Sequence, residues 1–239
     1  MTTSNRIVTR EEWLFARKEL LAREKSFTHE RDALSAARRD LPMVKIDKSY
    51  VFDELGGKRS LAELFDGKRQ LVVYHFMFHP SWEAGCKSCS YVADSFAGSV
   101  VHLAARDTAF AAVSRAPISK IEAFKKRMGW TFRWLSSSET DFNYDFGVSF
   151  RPEEIEAKST IYNYEKKPFP MPEAPGISVF LRDGDAVLHT YSTYGRGLDQ
   201  LMNTYNYLDL TPLGRQEQGL PYPTAWIRHH DSYELANRG

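Results

Sequence analysis

The sequence predicts an α/β protein, a central sheet with helices packed on its faces, and three features predict it. Between positions 70 and 135, apolar runs of strand length alternate with amphipathic runs of helical length. Residues 70–78 (Gln-Leu-Val-Val-Tyr-His-Phe-Met-Phe) are almost all apolar or aromatic, as in a strand covered on both faces. Two further extended runs flank Asp183-Gly184, a pair that closes tight hairpins.

Residues 11–39 read as one or two surface helices, with Trp13, Leu14, Leu20 and Leu21 set among charges, Thr9 placed to cap the start and Pro42 to stop it. Their expected role is packing or formation of a homodimer. From Val44 the pattern turns extended at 44–46 and 50–52, then Gly56-Gly57 makes a turn and 60–65 a short helix. The strand at 70–78 is followed by a helix at 86–104, a strand at 109–114, a helix at 119–128 and a strand at 132–135, a β-α-β-α-β order. Residues 136–175 read as irregular. Strands at 177–181 and 186–191 form the hairpin, a helix at 198–205 packs back, and the Pro/Gly-rich stretch 210–239 reads as an extended wrap. The organisation expected is a helical extension (1–42), one sandwich domain (43–209) and a tail (210–239).

With 239 residues, of which 42% are hydrophobic, the chain can bury a substantial core. Its 32 basic and 31 acidic residues give a net charge of +1, so neither a nucleic-acid face nor a membrane-attracted surface is expected. The first 25 residues are crowded with Arg, Glu and Lys and lack the apolar stretch of a secretory signal, which makes the cytoplasm the expected compartment.

The chain has two cysteines, Cys86 and Cys89, too close together to staple a fold. The pair is therefore redox-active, metal-binding or incidental. It follows the end of the apolar strand and opens a helix, the setting in which a Cys-x-x-Cys dithiol exchanges electrons in a thioredoxin-like three-layer sandwich. Helical spacing aligns Cys86, Cys89, Ala93, Phe96 and Val100 on one stripe, with Cys86 at the tip and Cys89 turned inward. Free N–H groups at the helix start favour a Cys86 thiolate, and Lys87 adds a nearby positive charge. Cys86 would attack a disulfide or thiol substrate and Cys89 would resolve the mixed disulfide, with no cofactor. In the preceding loop, Glu83 is placed to move a proton to or from Cys89, His79 to stabilise a thiolate, and Trp82 to cover the site. Alternatively, His75, His79, Cys86 and Cys89 supply two nitrogens and two sulfurs, a donor set suited to zinc or copper.

Several segments together resemble one family. Glu12-Trp13, Arg38-Arg39-Asp40-Leu41-Pro42, Tyr74-His75-Phe76-Met77-Phe78, Gly85-Cys86-Lys87-Ser88-Cys89-Ser90, Val113-Ser114-Arg115-Ala116-Pro117, Asp141-Phe142-Asn143-Tyr144-Asp145-Phe146, His189-Thr190-Tyr191-Ser192-Thr193-Tyr194 and Arg196-Gly197 are similar to the bacterial thioredoxin-like family catalogued as domain of unknown function 899. The resemblance covers about residues 10–215 and implies a dithiol–disulfide oxidoreductase. A looser similarity to peroxiredoxin-like proteins, carried by Val113-Ser114, Gly129-Trp130, Trp134-Leu135-Ser136, Tyr144 and Gly147-Val148, implies peroxidase activity as a variant. That pattern has Pro and Thr seven and three residues before its reactive Cys, where this chain has His79 and Glu83, with Pro80 one place later. Thioredoxins also set a cis-proline before the strand facing the dithiol. Here Pro175-Gly176 precedes that strand, so Ile177 or Ser178 is expected to face the sulfurs. Tyr144 and Tyr194, in the aromatic segments 142–146 and 191–196, are then candidates to line a substrate pocket, with Arg196 pairing an anionic group. The competing reading makes these aromatics core and Arg196 a surface ion pair.

Overall fold

A computed structural model of the chain describes residues 6–234. The first element is a 30-residue helix, α1 (Arg10–Arg39), started by a capping box in which the Thr9 side chain accepts from the Glu12 N–H and Glu12 reaches back to the Thr9 N–H. It buries none of its residues. At its far end, the Arg38 guanidinium lies over the Tyr191 ring at 5.7 Å.

An eight-stranded sheet follows, built from β1 (Val44–Lys45), β2 (Val51–Glu54), β3 (Gly57–Ser60), β4 (Gln70–His75), β5 (Thr108–Ser114), β6 (Trp134–Ser136), β9 (Gly176–Asp183) and β10 (Ala186–Tyr194). The spatial order is β1-β10-β9-β4-β5-β6-β2-β3. β4, β5 and β6 run parallel, and β9 joins β4 antiparallel in the register Tyr74 to Ile177 and His75 to Gly176. A small separate hairpin, β7 (Ile161–Tyr162) and β8 (Glu165–Lys166), stands outside this sheet.

Strand alternation separates two cores. One face carries Tyr74, Phe110, Ala112, Trp134 and Ile177 and is covered by α2 (Lys87–Ala93), α3 (Phe96–Ala104) and α4 (Ile118–Arg127) through Cys89, Val92, Phe96, Ile121 and Phe124. The other carries Leu71, Val73, Val113, Leu135 and Phe180, covered by a 3₁₀ turn at Ala62–Phe65 and by α5 (Phe142–Asp145) through Leu64, Phe65, Phe142 and Phe146. This is the three-layer thioredoxin-like sandwich that the strand and helix order implied.

Local departures from the sequence reading have local causes. The helix expected at 86–104 is two, because Asp94 ends α2, donating from its backbone to Ser90 and Val92 carbonyls while its carboxylate accepts from Trp130 Nε1 at 2.9 Å. Residues 57–60, expected as a turn running into the short helix, form an edge strand that pairs with β2 in the register Asp53 to Lys58, and the short helix follows as the 3₁₀ turn at Ala62–Phe65. Residues 136–175, read as irregular, contain α5, α6 (Pro152–Glu156) and the small hairpin. The helix expected at 198–205 is a 3₁₀ turn (Gly195–Leu201) followed by α7 (Asn203–Leu208). The tail to residue 234 folds back on the domain, burying Ile227 and His229, and the stretch 235–239 lies outside the described residues. No helix among the described residues is long and apolar enough to cross a membrane.

Candidate functional site: the Cys86–Cys89 dithiol

Cys86 is the N-cap of α2, and the end of the β4 run holds both cysteines. Its N–H donates to the Met77 carbonyl at 3.0 Å, while the Met77 N–H points at Cys89 Sγ at 3.4 Å. One residue therefore fixes the height of both sulfurs against the sheet. The Cys86 carbonyl accepts from the Ser90 N–H and the Ser90 hydroxyl, both at 2.9 Å, which secures the first turn of the helix. Both cysteines are free thiols; Cys86 is half-buried and Cys89 is buried.

The two sulfurs differ in environment and hence in chemistry. The Cys89 thiol and the first turn of α2 at Ser88 and Cys89 are the groups that favour a Cys86 thiolate. Against the opposing cost of burial, these groups lower the Cys86 pKa to about 7. Burial raises the Cys89 thiol, and the adjacent Cys86 raises it further, against the Met77 N–H that points at its sulfur. Lys87 is exposed and is not among the causes of the Cys86 shift, so hydrogen bonds rather than that charge favour the thiolate.

The approach loop is pinned from three directions. Lys120 Nζ donates to the carbonyls of Pro80 at 2.8 Å and Trp82 at 3.1 Å. His229 Nε2, from the tail, lies 2.9 Å from the Gly85 carbonyl. Gly85 itself is required: a Cβ there would sit 2.7 Å from the Phe76 ring and 2.8 Å from the Phe124 ring. Trp82 packs half-buried against the same core as Cys86. Glu83 is exposed and makes no hydrogen bond among the described residues, so the loop does not bring it onto Cys89.

The four-ligand metal set is not assembled. His75 follows Tyr74 on β4 and so points to the opposite face of the sheet from Cys89, where its Nε2 bonds Ser178 Oγ at 2.8 Å and its ring stacks on Phe146. Burial there pulls its pKa down to about 3. Among the described residues no cluster of three or more His, Cys, Asp or Glu side chains could hold a metal ion. Of the two residues expected to face the sulfurs, Ile177 shares the Cys89 core and Ser178 faces away with His75. Pro175 precedes the strand with a trans peptide, its carbonyl accepting from the Tyr162 hydroxyl at 2.8 Å.

Two of the four substrate-binding candidates separate from the site. Tyr194 is core: its hydroxyl donates to the Phe146 carbonyl at 2.9 Å and its ring packs on Tyr162. Arg196 is solvent-exposed and pairs with Asp199 at 2.9 Å. Tyr144, in contrast, lies between two guanidiniums, those of Arg115 and Arg151, each 4.6 Å from its ring centre. With His79 and Arg115 it lines a cavity of about 430 Å³. His79 thus faces this cavity, and no hydrogen bond joins it to either sulfur. The sequence reading overlooked Arg115 and His229; Arg115 stood in the quoted Val-Ser-Arg-Ala-Pro segment, directly after a buried strand.

A family model described as a bacterial protein of unknown function (DUF899) matches residues 2–233. No curated protein matches the sequence. Among solved structures, peroxiredoxin Q of Xanthomonas campestris is 11% identical, with 70% of this chain and 96% of that chain covered at a TM-score of 0.46. The peroxidoxin BcpB of Mycobacterium tuberculosis is 16% identical, with 70% and 94% covered at 0.42. A hypothetical protein of Sinorhizobium meliloti is 15% identical, with 63% and 70% covered at 0.40.

Proposed function

The chain belongs to this DUF899 family, and we propose that it acts as a thiol–disulfide oxidoreductase with Cys86 as nucleophile and Cys89 as resolving thiol. The observation that carries the reading is the asymmetry of the pair: Cys86 is half-buried at the N-cap of α2 and its thiol pKa is lowered, while Cys89 is buried one turn on and its thiol pKa is raised. In the first step, Cys86 Sγ attacks a substrate disulfide; a Cys86–substrate S–S bond forms, the substrate S–S bond breaks, and the leaving thiolate takes a proton from solvent. Cys89, its proton released as the Cys86 charge is discharged, then attacks Cys86 Sγ. The second substrate thiol leaves, and two electrons have passed from the protein to the substrate. An external dithiol returns the pair to the reduced form, which suits a compartment that keeps thiols reduced, such as the cytoplasm.

Reduced protein, desalted and mixed with a disulfide, should form the Cys86–Cys89 disulfide and lose both alkylatable thiols. Cys86→Ser should abolish this, and Cys89→Ser should accumulate a mixed disulfide detectable by intact mass. Treated protein in which both thiols still react with alkylating agents would overturn the reading. The same assay with hydrogen peroxide distinguishes the peroxidase alternative, which requires Cys86 sulfenate to form faster than disulfide exchange.

A further inference from the structure

The cavity beside the dithiol loop has an unusual balance of polar groups. Arg115 uses one guanidinium nitrogen on Glu173, at 3.3 Å, and its other N–H groups have no acceptor among the described residues. His79 Nδ1 accepts from the Ser81 N–H at 3.2 Å, which places the ring hydrogen on Nε2, where it too lacks an acceptor. The Tyr144 hydroxyl is likewise unbonded among the described residues, and the Arg151 guanidinium on the same ring is in no ion pair there. Donors therefore outnumber acceptors around a space of about 430 Å³, with Glu156 the one carboxylate lining it. Phe150, Ile155 and Pro172 give it an apolar wall.

The surplus positive charge is real only if Glu173 does not cancel Arg115. Glu173 is buried, and its pKa is pushed up to about 7 by that burial, so near neutral pH it is only partly ionised. The field of Arg115 also reaches His79, whose pKa is lowered by burial and then by that charge. A planar anion with an apolar stem satisfies what is left open: a carboxylate accepts two N–H bonds from a guanidinium fork and a third from an imidazole or phenol.

We propose that this cavity is an anion subsite that takes the carboxylate of a small disulfide, seated by Arg115, Tyr144 and His79, with Arg151 adding charge behind the ring. The proposal rests on the dithiol reading above. Placement favours it: His79 is two residues from Met77, the residue that holds both sulfurs, and two residues of chain reach at most about 7 Å. A ligand anchored on His79 and Arg115 therefore sits against the loop that runs from Met77 to Cys86.

The test compares single-turnover oxidation of reduced protein by glutathione disulfide, which carries carboxylates, and by neutral bis(2-hydroxyethyl) disulfide. Calorimetry with S-methylglutathione, which cannot exchange, reads binding alone. Arg115→Gln, and Arg115→Gln with Glu173→Gln in case the lone buried carboxyl prevents folding, should lower the glutathione-to-neutral rate ratio at least tenfold and abolish S-methylglutathione binding. An unchanged ratio with a folded variant overturns the subsite while leaving the oxidoreductase reading intact. Binding that Arg115→Gln removes, in a protein that neither disulfide oxidises, supports the subsite and overturns the redox function instead.

Discussion

Replacing Cys89 by alanine should raise the pKa of Cys86, and the size of the rise follows from the site. The Cys89 thiol is the first among the groups that lower Cys86 from an ordinary 9.0 to about 7, while the N–H groups of Ser88 and Cys89 survive the substitution. A hydrogen bond to a charged acceptor contributes about 1.5–3 kcal/mol, which corresponds to about 1–2 pKa units. Water entering the small gap recovers part of that, so the expected rise is about one unit. At pH 7 the thiolate fraction then drops from about a half to about a tenth, and alkylation slows about fivefold. The assay is the rate of iodoacetamide alkylation from pH 5.5 to 10, with peptide mass identifying the labelled residue. The wild-type midpoint is expected near 7. Rates of the two proteins should converge above pH 9.5. A variant midpoint equal to or below the wild-type value would refute the claim that the neighbouring thiol activates Cys86.

Other perturbations test the frame around the pair. The Glu173 carboxyl, raised from 4.5 to about 7 by burial, favours the fold in its protonated form; that contribution is present below pH 4.5 and is lost as pH rises through 7. The unfolding free energy of the wild type from denaturant titrations should therefore fall between pH 5 and 8, by up to about 3 kcal/mol, relative to the course of Glu173→Gln, and parallel curves would refute this. Gly85→Ala forces a methyl against Phe76 and Phe124 at under 3 Å, and a loss of about 1–3 kcal/mol should appear as a lower Tm in calorimetry. His229→Ala leaves the Gly85 carbonyl without its partner and should cost about 1–3 kcal/mol, with faster amide exchange in the loop 79–85.

The parts of the fold that were legible are those in which local chemistry and tertiary environment agree. Thr9 set the start of α1, Asp183-Gly184 set the hairpin, and the apolar run from Gln70 set the central strand. The edge strand β3 escaped because its residues, among them Lys58 and Arg59, face solvent and carry no apolar alternation. The break between α2 and α3 escaped because neither Gly nor Pro marks it; a tertiary partner, Trp130, takes the Asp94 carboxylate. At the site, the placement of Cys86 and Cys89 followed from strand and helix signals. His75 was grouped with them by nearness in sequence, although period-two alternation with Tyr74 sends it through the sheet. Tyr194 and Arg196 illustrate the limit from the other side: their residue types suit a pocket, and only the packed structure shows one used as core and the other as a surface pair.

The bond from His229 to Gly85 spans 144 positions of chain. At about 5–20 residues per second of synthesis, a nascent chain carries both cysteines for roughly 7–30 s before the histidine that fastens their loop has been made. During that interval the thiols are exposed to whatever oxidant or passing disulfide the growing chain meets, without the loop held at Gly85. The loop that leads into Cys86 is thus fastened late in biogenesis, and a chain whose elongation stalls in the tail carries its dithiol with that loop unfastened at Gly85.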